Sequence, residues 1–197
     1  MNLLEQFPWS QNLREKLKSN FKIDQFRPMQ LESINATLSK QDCILVAPTG
    51  CGKSLTYQLP ALVDTGITLV VSPLIALMED QVTALLKRNI PAEMLSMSSP
   101  KDVVELVHKI LSDPSHSTGK RLKILYVTPE RMSKSKRFMS ALQKCFQSGK
   151  LDRIAIDEVH CCSVMGHDFR PDYKFLGSLK TLFPKVPILG VTATASK

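Results

Sequence analysis

The sequence predicts an α/β fold, a mostly parallel central sheet with helices packed against it. Three observations carry that prediction. Short apolar, β-branched runs recur along the chain, they alternate with segments of helical period, and small and polar residues follow directly on the apolar runs. Alternating strands and helices call for right-handed crossovers between parallel strands. In such a sheet ligands sit beyond the carboxyl ends of the strands. The residues to watch are therefore the 48–54 turn, Ser72-Pro73, Thr128-Pro129-Glu130, Asp157-Glu158 and Thr192-Ala193-Thr194.

Taken in order, FPWSQNLREKLKSNF reads as a short helix with Ser10 as its N-cap and Leu13, Leu17 and Phe21 on one face. A second helix follows Pro28, with Leu31, Ile34 and Leu38 turned inward. Residues 1–40 form an N-terminal helical segment, and 41–197 form the α/β domain. Strands are expected at 43–47, 68–72, 123–128, 153–157 and 188–192, each apolar on both faces. ALMEDQVTALLKR and DVVELVHKIL supply helices between them, and the Pro-, Gly- and Ser-bearing stretch 113–121 is the clearest loop.

Composition narrows the class. With 43% hydrophobic and 22% charged residues in 197, the chain fits one globular domain and neither a disordered nor a fibrous class. A net charge of +8 suits a polyanionic partner such as nucleic acid, or a basic protein with no such partner. The five cysteines form no C-x-x-C pair, and Cys161-Cys162, flanked by His160 and His167, lack the spacing of a zinc site. A reducing compartment is the natural reading. No signal peptide is visible, and the apolar stretch 67–78, broken at Ser72-Pro73, is too short to cross a membrane.

The chemistry is concentrated in two motifs. APTGCGKS, from Ala47 to Ser54, follows a strand and opens a helix, the context of a phosphate-binding loop. Gly50 and Gly52 free the backbone N–H groups to turn toward an anion, and the helix beginning near Lys53 presents its positive end. Thr49 and Cys51 complete the cradle. Lys53 reaches the β- and γ-phosphates of ATP, and the Ser54 hydroxyl ligates Mg²⁺. Ala47 stands where the motif has its first Gly. Cys51 is either a small filler or a reactive thiol beside the phosphates. RIAIDEVH then ends a buried strand with two carboxylates. Asp157 is placed to hold Mg²⁺ and Glu158 to polarise the attacking water, with His160 near the terminal phosphate.

With these motifs the chain resembles the RecQ family of superfamily 2 DNA helicases, most of all the short animal members. The resemblance rests on FRPMQ (Phe26 to Gln30), the P-loop, VSPLIALMEDQ, YVTPER, the DEVH box, CCSVMGHDFRPDY and TATA, in family order over nearly the whole chain. It implies a RecA-like three-layer sandwich, the first motor domain of an ATP-dependent 3′–5′ helicase that acts on single-stranded and forked DNA in repair and recombination, in the nucleus. It further implies that Gln30, supported by Arg27, reads adenine, that His160 and Thr192 to Thr194 couple hydrolysis to movement, and that His167, Asp168, Phe169 and Arg170 form a DNA-contacting loop. Without the family, Phe169 reads as core and Arg170 as a surface charge.

The chain departs from the family in places. Val164-Met165 stand where many members have Gln-Trp, which puts coupling of DNA binding to hydrolysis in question. Ile23 replaces a frequent aromatic residue, and Lys22 a frequent Gly. The sequence stops soon after Thr194, so the second RecA-like domain with its arginine finger is expected to be missing, and the chain alone to hydrolyse ATP poorly. A decoupled module that binds ATP and nucleic acid without unwinding is the alternative reading. A P-loop kinase is a third, for which no acceptor site or lid is visible. Residues 134–137 read either as a localisation signal or as a solvated helix face.

Overall fold

The structure is a computed structural model that describes residues 7–113, 122–162 and 171–193. Among the described residues six strands form one parallel sheet in the order β1-β6-β5-β2-β4-β3. They are β1 (Cys43–Val46), β2 (Ile67–Val71), β3 (Ala92–Leu95), β4 (Ile124–Val127), β5 (Leu151–Asp157) and β6 (Ile188–Thr192). The register sets β5 between β2 and β6, with Ala155 opposite Val70 on one side and Leu189 on the other. Because every pairing is parallel, all the strand carboxyl ends share one edge.

Side-chain alternation builds two cores on that sheet. Ile67, Leu69 and Val71 of β2, Leu125 and Val127 of β4, and Ile154 and Ile156 of β5 pack into one. Helices α6 (Lys101–Ser112), α8 (Lys136–Gln147) and α9 (Leu179–Leu182) cover this face through Val107, Leu111, Phe138, Leu142 and Leu179. Val70, Ile124, Tyr126, Ala155, Leu189 and Val191 point the other way. They meet Tyr57 of α3 (Leu55–Gln58), Ala61 of α4 (Pro60–Val63), and Met78, Val82 and Leu85 of α5 (Ile75–Leu86). The short helix α7 (Pro129–Lys134) links β4 to α8. Its N-cap Thr128 accepts the Arg131 N–H, and Ser135 caps α8 by accepting the N–H of Phe138.

The N-terminal helices, α1 (Ser10–Lys16) with a π-helical turn (Leu17–Phe21) and α2 (Gln30–Leu38), build a third cluster. Leu13, Leu17, Ile34 and Leu38 pack there with Leu55 and Leu59, directly behind the P-loop. Trp9 locks the pair by donating its indole N–H to Asn35 Oδ1 at 2.9 Å.

The structure corrects four expectations. Ser10 is the first residue of α1, not its cap; Trp9 holds the N-cap position, with no side-chain hydrogen bond. The helix after the P-loop starts at Leu55, with Ser54 as its N-cap, and Pro60 breaks its hydrogen-bond ladder. The strands are not uniformly apolar on both faces: β1 lies at the sheet edge with Ile44 71% and Val46 50% exposed. Arg153, in the middle of β5, is 0% exposed and is held by Asp64 at 3.0 Å. The opposite edge strand, β3, was not anticipated. The loop expected at 113–121 lies, from residue 114 on, outside the described residues.

Candidate active site

The P-loop leaves β1, and Gly50 and Gly52 adopt φ of +81° and +78°, the left-handed region that a side chain disfavours. Lys53 curls back over the loop, its Nζ donating to Ala47 O at 2.9 Å and to Pro48 O at 3.2 Å. Thr49 lies exposed on the loop; Cys51 and Ser54 are half-buried.

The segment before α2 grips this loop from the side. Gln30, though polar, is buried. Its Nε2 donates to Gly52 O at 2.9 Å, and its Oε1 accepts the Arg27 N–H at 2.8 Å. The Arg27 guanidinium in turn donates to Gly50 O. Gly52 is favoured by its φ, and a Cβ there would lie 2.7 Å from Gln30 Nε2 and push that amide off the loop. Gln30 Nε2 also reaches Cys51 O at 3.4 Å, so the uncommitted capacity of the amide is the second lone pair of Oε1.

Two strands away, Asp157 and Glu158 end β5 at the same sheet edge. Asp157 is 8% exposed; its Oδ1 accepts the Glu158 N–H at 3.0 Å, and its Oδ2 accepts from the Ser72 hydroxyl at 3.4 Å. Burial, and then the charge of Glu158, push its carboxyl up to about 6 against these hydrogen bonds and the pull of Lys53. That electrostatic coupling places Lys53 and Asp157 in one neighbourhood. Glu158 itself has φ +51°, strained for a residue with a side chain.

Thr192, ending β6 between the two motifs, closes the arrangement. His160 Nδ1 lies 2.7 Å from Thr192 Oγ1 and 3.2 Å from Glu158 Oε2. Val46 pairs with Thr192 in the sheet, and Ala47 N donates to Thr192 O at 3.0 Å. Acid pair, imidazole, hydroxyl and phosphate loop are thus joined through adjacent strands.

Under the loop lies a polar layer that sequence reasoning missed. Gln58 Nε2 sits 2.7 Å from Gln81 Oε1 of α5 and 3.0 Å from the Tyr126 hydroxyl. The Tyr57 ring packs edge-on against Tyr126, and burial raises its hydroxyl well above the ordinary value; that of Tyr126 is pushed up to about 12. Both phenols are neutral hydrogen-bonding groups at pH 7. The only signal for this layer was polar residues at buried helix positions, which no local pattern assigns.

The structure therefore brings together Arg27, Gln30, Gly50, Cys51, Gly52, Lys53 and Ser54 on one side and Asp157, Glu158, His160 and Thr192 on the other. Val164, Met165, His167, Asp168, Phe169, Arg170 and Thr194 lie outside the described residues. Among the described residues no group of three or more His, Cys, Asp or Glu side chains could hold a metal, and no helix is long and apolar enough to cross a membrane.

Comparison with known proteins accords with this geometry. A family model for the DEAD/DEAH box helicases matches residues 27–197. The rat ATP-dependent DNA helicase Q1 is 53% identical over 193 residues, which is 98% of this chain and 30% of that protein. The ATP-dependent helicase SGS1 of Saccharomyces cerevisiae is 43% identical over 195 residues, 97% of this chain and 13% of that protein. The likeness to RecQ helicases read from the motifs is borne out. Among solved structures, the DUF1998 helicase MrfA bound to DNA and AMPPNP superposes with a TM-score of 0.70 at 19% identity, over 100% of this chain and 27% of that one. That likeness bears out the RecA-like α/β fold.

Proposed function

The chain belongs to the DEAD/DEAH box helicase family, and on that premise we propose that it is the ATP-binding motor lobe of a RecQ-type 3′–5′ DNA helicase, working in the nucleus in repair and recombination. It spans about 30% of the length of the rat relative, so unwinding belongs to this reading and rests on what lies beyond the lobe as well. One observation supports the reading most: the P-loop and the acid pair meet at a single sheet edge, tied by the His160 contacts to Glu158 and Thr192.

The residue roles follow from chemistry. Residues 49–54 cradle the phosphates with backbone N–H groups, and Lys53 exchanges its carbonyl partners for phosphate oxygens. Gln30 uses its remaining amide capacity on adenine, while Arg27 and its own contacts fix it to the loop. The Ser54 hydroxyl and the Asp157 carboxylate are an all-oxygen donor set at the phosphate site. That suits Mg²⁺, which takes few protein ligands and keeps waters and phosphates. When bound, the ion would draw charge from the terminal phosphates. Glu158 orients the attacking water and accepts its proton, and His160 and Thr192 sense the result because they contact Glu158 and the strand that carries it. Residues 1–40 serve as the adenine-side extension and 41–197 as the motor lobe. Phe169 and Arg170, with His167 and Asp168, contact single-stranded DNA, and Thr194 joins Thr192 in coupling hydrolysis to movement. A net charge of +8 suits that partner, and the structural neighbour MrfA is itself a helicase solved bound to DNA.

The test is ATP hydrolysis by the chain joined in frame to the remainder of a helicase Q1, with and without single-stranded DNA. The reading expects stimulation by DNA that Lys53→Ala abolishes, and displacement of a strand from a forked duplex. Hydrolysis indifferent to DNA would leave a decoupled nucleotide-binding module.

A further inference from the structure

We propose that the hollow between α6 and α8 is a second anion site, built for a phosphoserine or phosphothreonine on a partner protein. It is a cavity of about 400 Å³ on the face of the sheet opposite α3 and α4, so it is separate from the nucleotide site. Lys109 of α6 and Arg137 and Lys144 of α8 line it, with the Ser112 and Ser140 hydroxyls. None of the three cations forms an ion pair among the described residues. Cations on two facing helices around a concave space match a compact dianion.

His108 gives the second, independent sign. It lines the cavity, is 6% exposed, and neither ring nitrogen has a hydrogen-bond partner. A buried imidazole with no partner is costly, and a turn of the ring toward the hollow would let a phosphate oxygen relieve it. Burial and the charges of Arg137 and Arg131 lower its pKa, so at pH 7 it is neutral and offers one ring N–H. The ring of Phe138, 6.3 Å away, backs it.

Shape and charge favour a phosphorylated side chain over a nucleic-acid strand. The volume suits one phosphorylated residue. A strand would bring further phosphates past Glu105, a carboxylate lining the same hollow, whereas a peptide brings one phosphate with neutral or basic neighbours.

The experiment is fluorescence anisotropy with a labelled Gly/Ala peptide that carries one phosphoserine, against its unphosphorylated form, inorganic phosphate as competitor, and a single-stranded oligonucleotide. The phosphopeptide is expected to bind at least ~10-fold more tightly than the plain peptide, as charge-assisted hydrogen bonds to a dianion imply. Inorganic phosphate should displace it. Arg137→Gln/Lys144→Gln, two exposed changes on α8, should remove that preference while leaving ATP binding and the melting temperature unchanged. His108→Phe should weaken the phosphopeptide alone. Equal affinity for the two peptides overturns the proposal. So does oligonucleotide binding that falls in the double variant with no phosphopeptide preference, which would make the hollow a nucleic-acid surface.

Discussion

Glu158 at φ +51° and Lys22 at φ +58° both adopt a conformation that favours glycine, for different reasons. Glu158 is strained at the proposed reaction centre, where its carboxylate is held against His160. Lys22 terminates the π-helical turn and has no described partner that requires its side chain. The resemblance to a family with frequent glycine there thereby acquires a physical reason, and Lys22→Gly should stabilise the chain by roughly 0.5–1 kcal/mol in urea unfolding. Gly52→Ala should do the reverse, because its φ of +78° disfavours a side chain and its Cβ would displace Gln30 Nε2; it should weaken nucleotide binding and lower the melting temperature. Unimpaired ATP binding by that variant would mean that Gln30 can leave the loop freely. Asp157 gives a pH test. Its folded pKa of about 6 lies above its ordinary 3.8, so its contribution is fully present below pH 3.8 and is lost as pH rises through 6. In EDTA, this group should cost on the order of 3 kcal/mol between those limits. Asp157→Asn should flatten that part of the stability profile, and parallel profiles would contradict the burial account. The motif residues could be singled out from sequence because a phosphate site of the proposed kind dictates both their types and their spacing. The Gln30–Gly52 and Arg27–Gly50 contacts were not, since they join side chains and backbone some twenty positions apart.

At the scale of elements, five of the six strands could be read from apolar runs. Strand β3, AEML, could not: it has no β-branched residue, carries Glu93 in its middle, and owes its strand form to pairing with β4. Burial of β1 was overestimated because sequence does not say which strand lies at an edge. Arg153 stands out within β5. Its guanidinium is buried and paired with Asp64, near the carboxylate of Asp152, which burial and the Asp64 charge raise. Asp64→Ala should cost ~3–5 kcal/mol by leaving that cation buried and unpaired. Asp64→Leu/Arg153→Met should restore most of the loss in thermal unfolding. A double variant as unstable as the single one would show that Arg153 serves more than this pair.

For the whole molecule, parallel topology is what gathers the chemistry. Every strand ends at the same edge, so motifs more than a hundred residues apart meet there, and α6 and α8 are left to line a basic hollow on one face. The net charge of +8 predicts that affinity for single-stranded DNA falls steeply with salt; a flat response would remove the basic surface from the account. The most direct measurement is calorimetric titration of the chain with ATP, with and without Mg²⁺, beside Lys53→Ala and Asp157→Ala. Saturable binding that needs Mg²⁺ and is lost in Lys53→Ala, with the Mg²⁺ dependence lost in Asp157→Ala, is the expected result. No binding at millimolar ATP, or binding indifferent to Lys53, would contradict it.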